Sequence, residues 1–141
     1  MKKVSSLLVM LFFSVILFAQ EENSEVEMAN VPGPAITFEE TLHEFGDITQ
    51  GDKVKFVFNF ENTGDEPLII TNVKVTCGCT ATDWPRDPVM PGDQSSITVQ
   101  FNSAGKKGRQ NKVITIVSNA NSPLNQVTIG ANVLVKDGDT N

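Results

Sequence analysis

Hydrophobic and polar positions alternate with a period of two along much of this chain, which is the signature of half-buried strands. The clearest case is Lys53 to Phe60: Val54, Phe56, Phe58 and Phe60 fall on one face, Lys53, Lys55 and Asn59 on the other, with Val57 the exception. Ile97, Val99 and Phe101 alternate with Thr98 and Gln100, and Val127, Ile129, Ala131 and Val133 do the same further on. Val113 to Val117 is a mixed apolar run that suits a strand covered on both faces, and Ile36–Phe38 and Leu42–Ile48 predict shorter strands. In Leu68 to Thr76 the apolar parity changes, from Leu68 and Ile70 to Val73 and Val75. A strand changes parity only by inserting a residue, so a β-bulge or break is expected near Thr71-Asn72. If that strand ran on, Cys77 and Cys79 would share the face of Val73 and Val75.

Turn-forming clusters separate these runs: Asn62-Thr63-Gly64-Asp65, Met90-Pro91-Gly92-Asp93, Ser103-Ala104-Gly105, and Asn119 to Pro123. Nothing after residue 19 keeps a helical period over three turns. The pattern predicts an all-β fold, an immunoglobulin-like antiparallel β-sandwich of about seven strands. An eight-stranded barrel is the alternative. The Cys…Trp…Cys pin of antibody domains is absent, because the two cysteines stand one residue apart and cannot bridge two sheets.

The first residues read differently. Lys2 and Lys3 precede an apolar run from Leu7 to Phe18 broken only by Ser14, followed by Ala19 and the polar Gln20-Glu21-Glu22. This is the layout of a secretory signal peptide, with the run short for a membrane span; an uncleaved anchor is the competing reading. The expected organisation is a signal peptide over 1–19, a flexible acidic leader over 20–34, a β-sandwich domain over 35–135 and a disordered tail over 136–141. Export places the protein in the periplasm, outside the cell or at its surface, with no membrane span after cleavage. Loss of Lys2 and Lys3 leaves 9 Lys plus Arg against 17 Asp plus Glu, a change in formal charge from −6 to −8. Such a surface repels phosphate backbones, so no nucleic-acid partner is expected. The basic group Lys106, Lys107, Arg109 and Lys112 lies around a Gly-containing turn and reads as a solvated loop.

Cys77-Gly78-Cys79 is the one stretch with latent chemistry. An oxidising compartment permits a disulfide. Two extended positions one residue apart lie roughly 6.6 Å from each other, at the upper edge of the window of about 4.4–6.8 Å for bridging, and Gly78 has the freedom to shorten that distance. As thiolates, Cys77 and Cys79 would suit Cu(I), or half of a Zn site; His43 is the single histidine, so a complete Zn site within the chain is not expected. No CxxC stands in a βαβ setting to support a thioredoxin-like centre. The leading reading is a structural thiol pair or local disulfide, with Cu(I) binding and redox chemistry as the rivals.

Every triad scheme must use His43, so no catalytic set is assigned, and no cofactor is expected. The carboxylates Glu39, Glu40, Glu44, Asp65 and Glu66 lie in or beside turns and read as solvated. Asp137-Gly138-Asp139 is too short for a calcium loop. Trp84 in Trp84-Pro85-Arg86-Asp87-Pro88 either caps the core or offers a partner an exposed anchor. With one Trp and no Tyr, the chain lacks the aromatics of a carbohydrate-binding surface.

The ordered set His43-Glu44-Phe45-Gly46-Asp47-Ile48, Phe58-Asn59-Phe60-Glu61-Asn62-Thr63-Gly64, Pro67-Leu68, Cys77-Gly78-Cys79-Thr80, Trp84-Pro85 and Pro91-Gly92-Asp93 resembles the DUF1573 family of exported bacterial proteins. The resemblance spans roughly residues 38 to 135. It implies an Ig-like sandwich close to Hydin-type and pilus-chaperone domains, and no established activity or site residues. The expected function is therefore a non-enzymatic module that binds a protein or cell-envelope component. The alternative is a thiol-dependent Cu(I) or redox protein centred on Cys77 and Cys79.

Overall fold

The computed structural model describes residues 32–122, 125–136 and 138. The signal-peptide reading, most of the leader and most of the tail lie outside those residues. Among them are eight strands and no helix: β1 (Ile36–Phe38), β2 (Leu42–Thr49), β3 (Lys53–Asn62), β4 (Ile70–Val75), β5 (Thr80–Asp83), β6 (Gln94–Asn102), β7 (Gly108–Ser118) and β8 (Asn125–Leu134). No helix long and apolar enough to cross a membrane occurs among the described residues.

Two four-stranded sheets face each other, ordered β1-β3-β6-β5 and β2-β8-β7-β4. All neighbours are antiparallel except β2 and β8, which run parallel. Consecutive strands β1 and β2 lie in different sheets, so the first edge of the sandwich is one strand that changes sheets at Glu39–Thr41. Seven of the eight strands match the expected runs, and the eighth is β5.

The alternating residues meet in one core. Phe58, Phe60, Ile97, Val99 and Phe101 come from the first sheet, and Ile114, Ile116, Val127, Ile129 and Val133 from the second. Leu68 and Val89 close one end through an isolated bridge with hydrogen bonds of 2.9 Å in both directions. The predicted irregularity in β4 is present as a register shift between Ile70 and Asn72 against β7. A second shift lies in β2 between Glu44 and Asp47. Gly46 takes φ +72 there, and inward parity passes from His43 and Phe45 to the buried Ile48.

The conditional run-on of β4 does not occur. The strand ends at Val75, and residues 76–79 turn from the second sheet into the first, where Thr80 opens β5. β5 is the strand that the apolar pattern did not announce. Residues Pro32–Pro34, the end of the expected leader, lie against the domain. The Gly33 amide donates to Asp65 Oδ1, and Asn121 Nδ2 donates to the Pro32 carbonyl (2.7 Å).

Candidate functional site

Two irregular segments stand at opposite ends of β3, and each carries motif residues. At the far end lies Asn62. It continues the inward parity of Phe56, Phe58 and Phe60 and is fully buried. Burying an amide costs stability unless its polar atoms are paired. Its Nδ2 donates to the carbonyls of Glu66 and Val89 (both 2.8 Å), while Oδ1 accepts from Gly64 N (3.0 Å) and Ala35 N (3.4 Å). Its backbone adds Asn62 N to Asp93 O (3.0 Å) and Gly92 N to Asn62 O (2.8 Å). Gly64 is required by close approach, because a Cβ there would run into the Gly33 carbonyl and the Ala35 amide. The Asn62-Thr63-Gly64 and Pro91-Gly92-Asp93 motifs are thus one structural knot tying three chain segments, 33–35, 62–66 and 89–93.

At the near end lies the Cys77–Cys79 disulfide, with Cα atoms 5.4 Å apart. The distance is below the extended value of roughly 6.6 Å because the chain turns between them. The Thr80 amide donates to the Cys77 carbonyl (3.3 Å) to close that turn. Gly78 does not use a positive φ, and an added Cβ would meet nothing within 4 Å. Neither conformation nor crowding demands glycine there; the turn stands open to solvent. The Asn102 amide donates to the Cys79 carbonyl (2.9 Å), which ties the turn to the end of β6. Cys77 Sγ lies 3.8 Å from the hydroxyl of the buried Thr80.

This disulfide joins residues two apart and cross-links no pair of strands. Chain-entropy reasoning gives a three-residue loop less than about 2 kcal/mol, against about 3 for a fifteen-residue loop. The bridge is therefore a weak staple. A shallow groove of about 240 Å³ lies against it, lined by Lys53, Gly78, Cys79, Ala81, Gln100 and Asn102. Lys53 is the one basic residue of that lining, and the adjacent Asp52 carboxylate accepts from the Thr49 amide (2.9 Å). As a disulfide, neither sulfur is a thiolate, so Cu(I) would bind only after reduction. Among the described residues, no group of three or more His, Cys, Asp or Glu side chains could hold a metal ion.

The other candidates lie apart from the groove lining. His43 stacks on Phe56 with ring centres 3.6 Å apart and meets Phe45 edge-on at 4.7 Å. It is a packing residue between the sheets at the edge strand β2, with Glu40 Oε1 3.7 Å from Nδ1. Trp84 follows β5, half-buried, packed against the core and beneath the Arg86 guanidinium at 3.6 Å. Its indole N–H is buried and finds no acceptor among the described residues. The basic group disperses: Lys112 lies 5.9 Å from the Phe101 ring centre, and Arg109 pairs with Glu44 across Gly130. That hydrogen bond holds the Glu44 carboxyl below its ordinary range and raises Arg109. Sequence reasoning missed Lys53 as a neighbour of the disulfide, since only the β3–β6–β5 pairing brings it there, whereas Thr80 directly follows Cys79 in the chain.

No curated protein sequence matches the chain significantly. Among solved structures, a protein of unknown function from Porphyromonas gingivalis W83 is 16% identical with a TM-score of 0.63, over 77% of this chain and 51% of that one. This chain thus spans about half the length of that relative. The PapD-like domain 7 of human CEP192 is 7% identical with a TM-score of 0.63, over 79% of this chain and 93% of that domain. The YadV chaperone is 11% identical with a TM-score of 0.51, over 70% of this chain and 51% of that one. At these identities the likeness is one of fold alone, a β-sandwich. A family profile matches residues 36–133, all but the last residue of the eight-stranded unit, and the chain belongs to DUF1573, a family of proteins of unknown function.

Proposed function

We propose that this chain is an exported, non-enzymatic binding module that recognises a protein or cell-envelope partner through a sheet edge. The observation that carries the reading is the pair of terminal strands β4 and β5. Each is hydrogen-bonded to a sheet neighbour on one side only, they touch one another, and the Cys77–Cys79 turn joins them. An open edge presents unpaired N–H and C=O groups, on which an extended segment can add as a further strand. β4 offers the longer edge, with Thr71, Asn72 and Lys74 exposed along it. The PapD-like fold supports the reading by analogy of architecture alone. Residues 1–19 support export to the periplasm or beyond.

A photo-reactive residue at Lys74, compared with one at Asn59 on the outer face of the other sheet, tests the docking edge in intact cells. The expected result is a discrete adduct from position 74 and none from position 59. Equal labelling at both, or none at either, contradicts an edge-docking role. Intact mass of the mature protein tests export, with a chain beginning near Gln20 as the expected product. Turnover of a substrate, abolished by one point substitution, would overturn the non-enzymatic reading.

A further inference from the structure

We propose that the Cys77–Cys79 disulfide is a thiol–disulfide exchange site whose substrate is an anionic, cysteine-containing peptide entering the groove beside Lys53. The inference sets aside the non-enzymatic half of the binding-module reading and is independent of whether β4 docks a partner strand. It starts from what the disulfide does not do. The bridge ties no strands together and closes the smallest loop compatible with an intervening residue, so retention of fold does not account for it. Its position is also unlike that of a buried, inert bridge. Gly78 is exposed with open space beyond its Cα, Cys77 and Cys79 are only half-buried, and a groove of about 240 Å³ reaches Cys79.

The groove gives the two sulfurs different roles. Cys79 is the half of the bridge that lines it, with its other side packed against the core, so a thiol entering the groove meets that half first. Cys77 lies 3.8 Å from the Thr80 hydroxyl, which is held buried at the start of β5 and can donate to a sulfur that gains charge. Exchange needs an accessible sulfur for the nucleophile and a stabilised leaving thiolate, and these two contacts supply them. The incoming thiolate forms a bond to Cys79 Sγ as the Cys77–Cys79 bond breaks. The bonding pair passes to Cys77 Sγ, which then takes a proton from solvent. A second thiol of the same substrate class attacks the substrate sulfur of the mixed disulfide. It releases Cys79 as a thiol and the substrate as a disulfide, so two substrate thiols are oxidised and one protein disulfide is reduced. Lys53 sets the charge preference, because it is the one charged residue among those lining the groove. Gln100 and Asn102 add amide groups along the floor, suited to a peptide backbone.

The test uses the mature protein with two probe thiols of opposite charge, glutathione and cysteamine, with timed alkylation and intact mass as the readout. Each rate is divided by that of the urea-unfolded protein, which removes the intrinsic reactivity of the thiol. The expected folded-state preference for glutathione is about threefold or more, the size of one screened charge pair acting on oppositely charged reagents. Lys53→Gln should return that preference to the unfolded ratio. Thr80→Val should slow both thiols alike, and Thr80→Ser should restore the rate. Mapping of the trapped glutathione adduct should place it on Cys79. A folded ratio equal to the unfolded one, a preference that survives in Lys53→Gln, or an adduct on Cys77 would each overturn the proposal.

Discussion

The two ends of β3 make opposite use of an irregular, motif-rich turn. The strand has ten residues, so Asn62 and Lys53 stand about 30 Å apart at roughly 3.3 Å per residue. At the Asn62 end every side-chain polar atom of the asparagine is engaged, Gly64 has no room for a side chain, and three segments meet at one amide. At the Lys53 end the turn has space around Gly78, a bridge that fastens little, and a groove open to solvent. A motif whose residues are fully occupied by neighbours is explained by folding. A motif whose residues are unoccupied is left for function.

Substitutions sharpen this contrast. Asn62→Ala should have the largest effect, since it takes their side-chain partner from the Gly64 amide and the Glu66 carbonyl and leaves the Val89 carbonyl only the Leu68 amide. A loss of about 3 kcal/mol is expected from stranding buried polar groups, read as a lower urea midpoint at unchanged slope. Gly64→Ala should cost about 2 kcal/mol, because the clash is with backbone of residues 33–35 and not with a yielding side chain. Hydrogen exchange should show the loss concentrated in the 32–35 segment and β1.

The smallest effect belongs to the Glu44–Arg109 pair, which lies at the solvent-exposed surface. The folded pKa of Glu44 lies below its ordinary 4.5, so the folded state binds fewer protons than the unfolded one in that range. The contribution is present above the ordinary value and fades as pH falls through the depressed one. Glu44→Gln should therefore flatten the fall of the urea midpoint on acidification below that value. High salt should shrink the difference between the two proteins.

Much of this architecture was legible because alternation reports burial directly. Lys53–Phe60, Ser96–Asn102 and Gln126–Val133 each sit within an observed strand, and the parity change before Val73 located a real register shift. The same alternation also marked the buried polar residues, although it was read as ending at the last apolar one. Asn62 follows Phe60 in phase, and Ser103 follows Phe101 in phase, and both are fully buried. Ser103 Oγ lies 3.0 Å from Thr49 O and 2.8 Å from Asp52 O, which pins the turn before β3. Strand β5 was not legible, because Thr-Ala-Thr-Asp carries no apolar period and its pairing with β6 is set by the chain reversal at Cys77–Cys79. The disulfide candidate was visible as two cysteines at bridging distance. Its neighbour Lys53 was not, since it is brought there by register across three strands.

The central claim is that Asn62 holds the fold together and the Cys77–Cys79 bridge does not. Urea unfolding of Cys77→Ala/Cys79→Ala beside Asn62→Ala tests it most directly. The account predicts a loss of less than about 2 kcal/mol for the cysteine pair, smaller than that of Asn62→Ala and with an unchanged slope. A loss of about 4 kcal/mol or more, matching or exceeding that of Asn62→Ala, would make the bridge a structural staple and contradict the account.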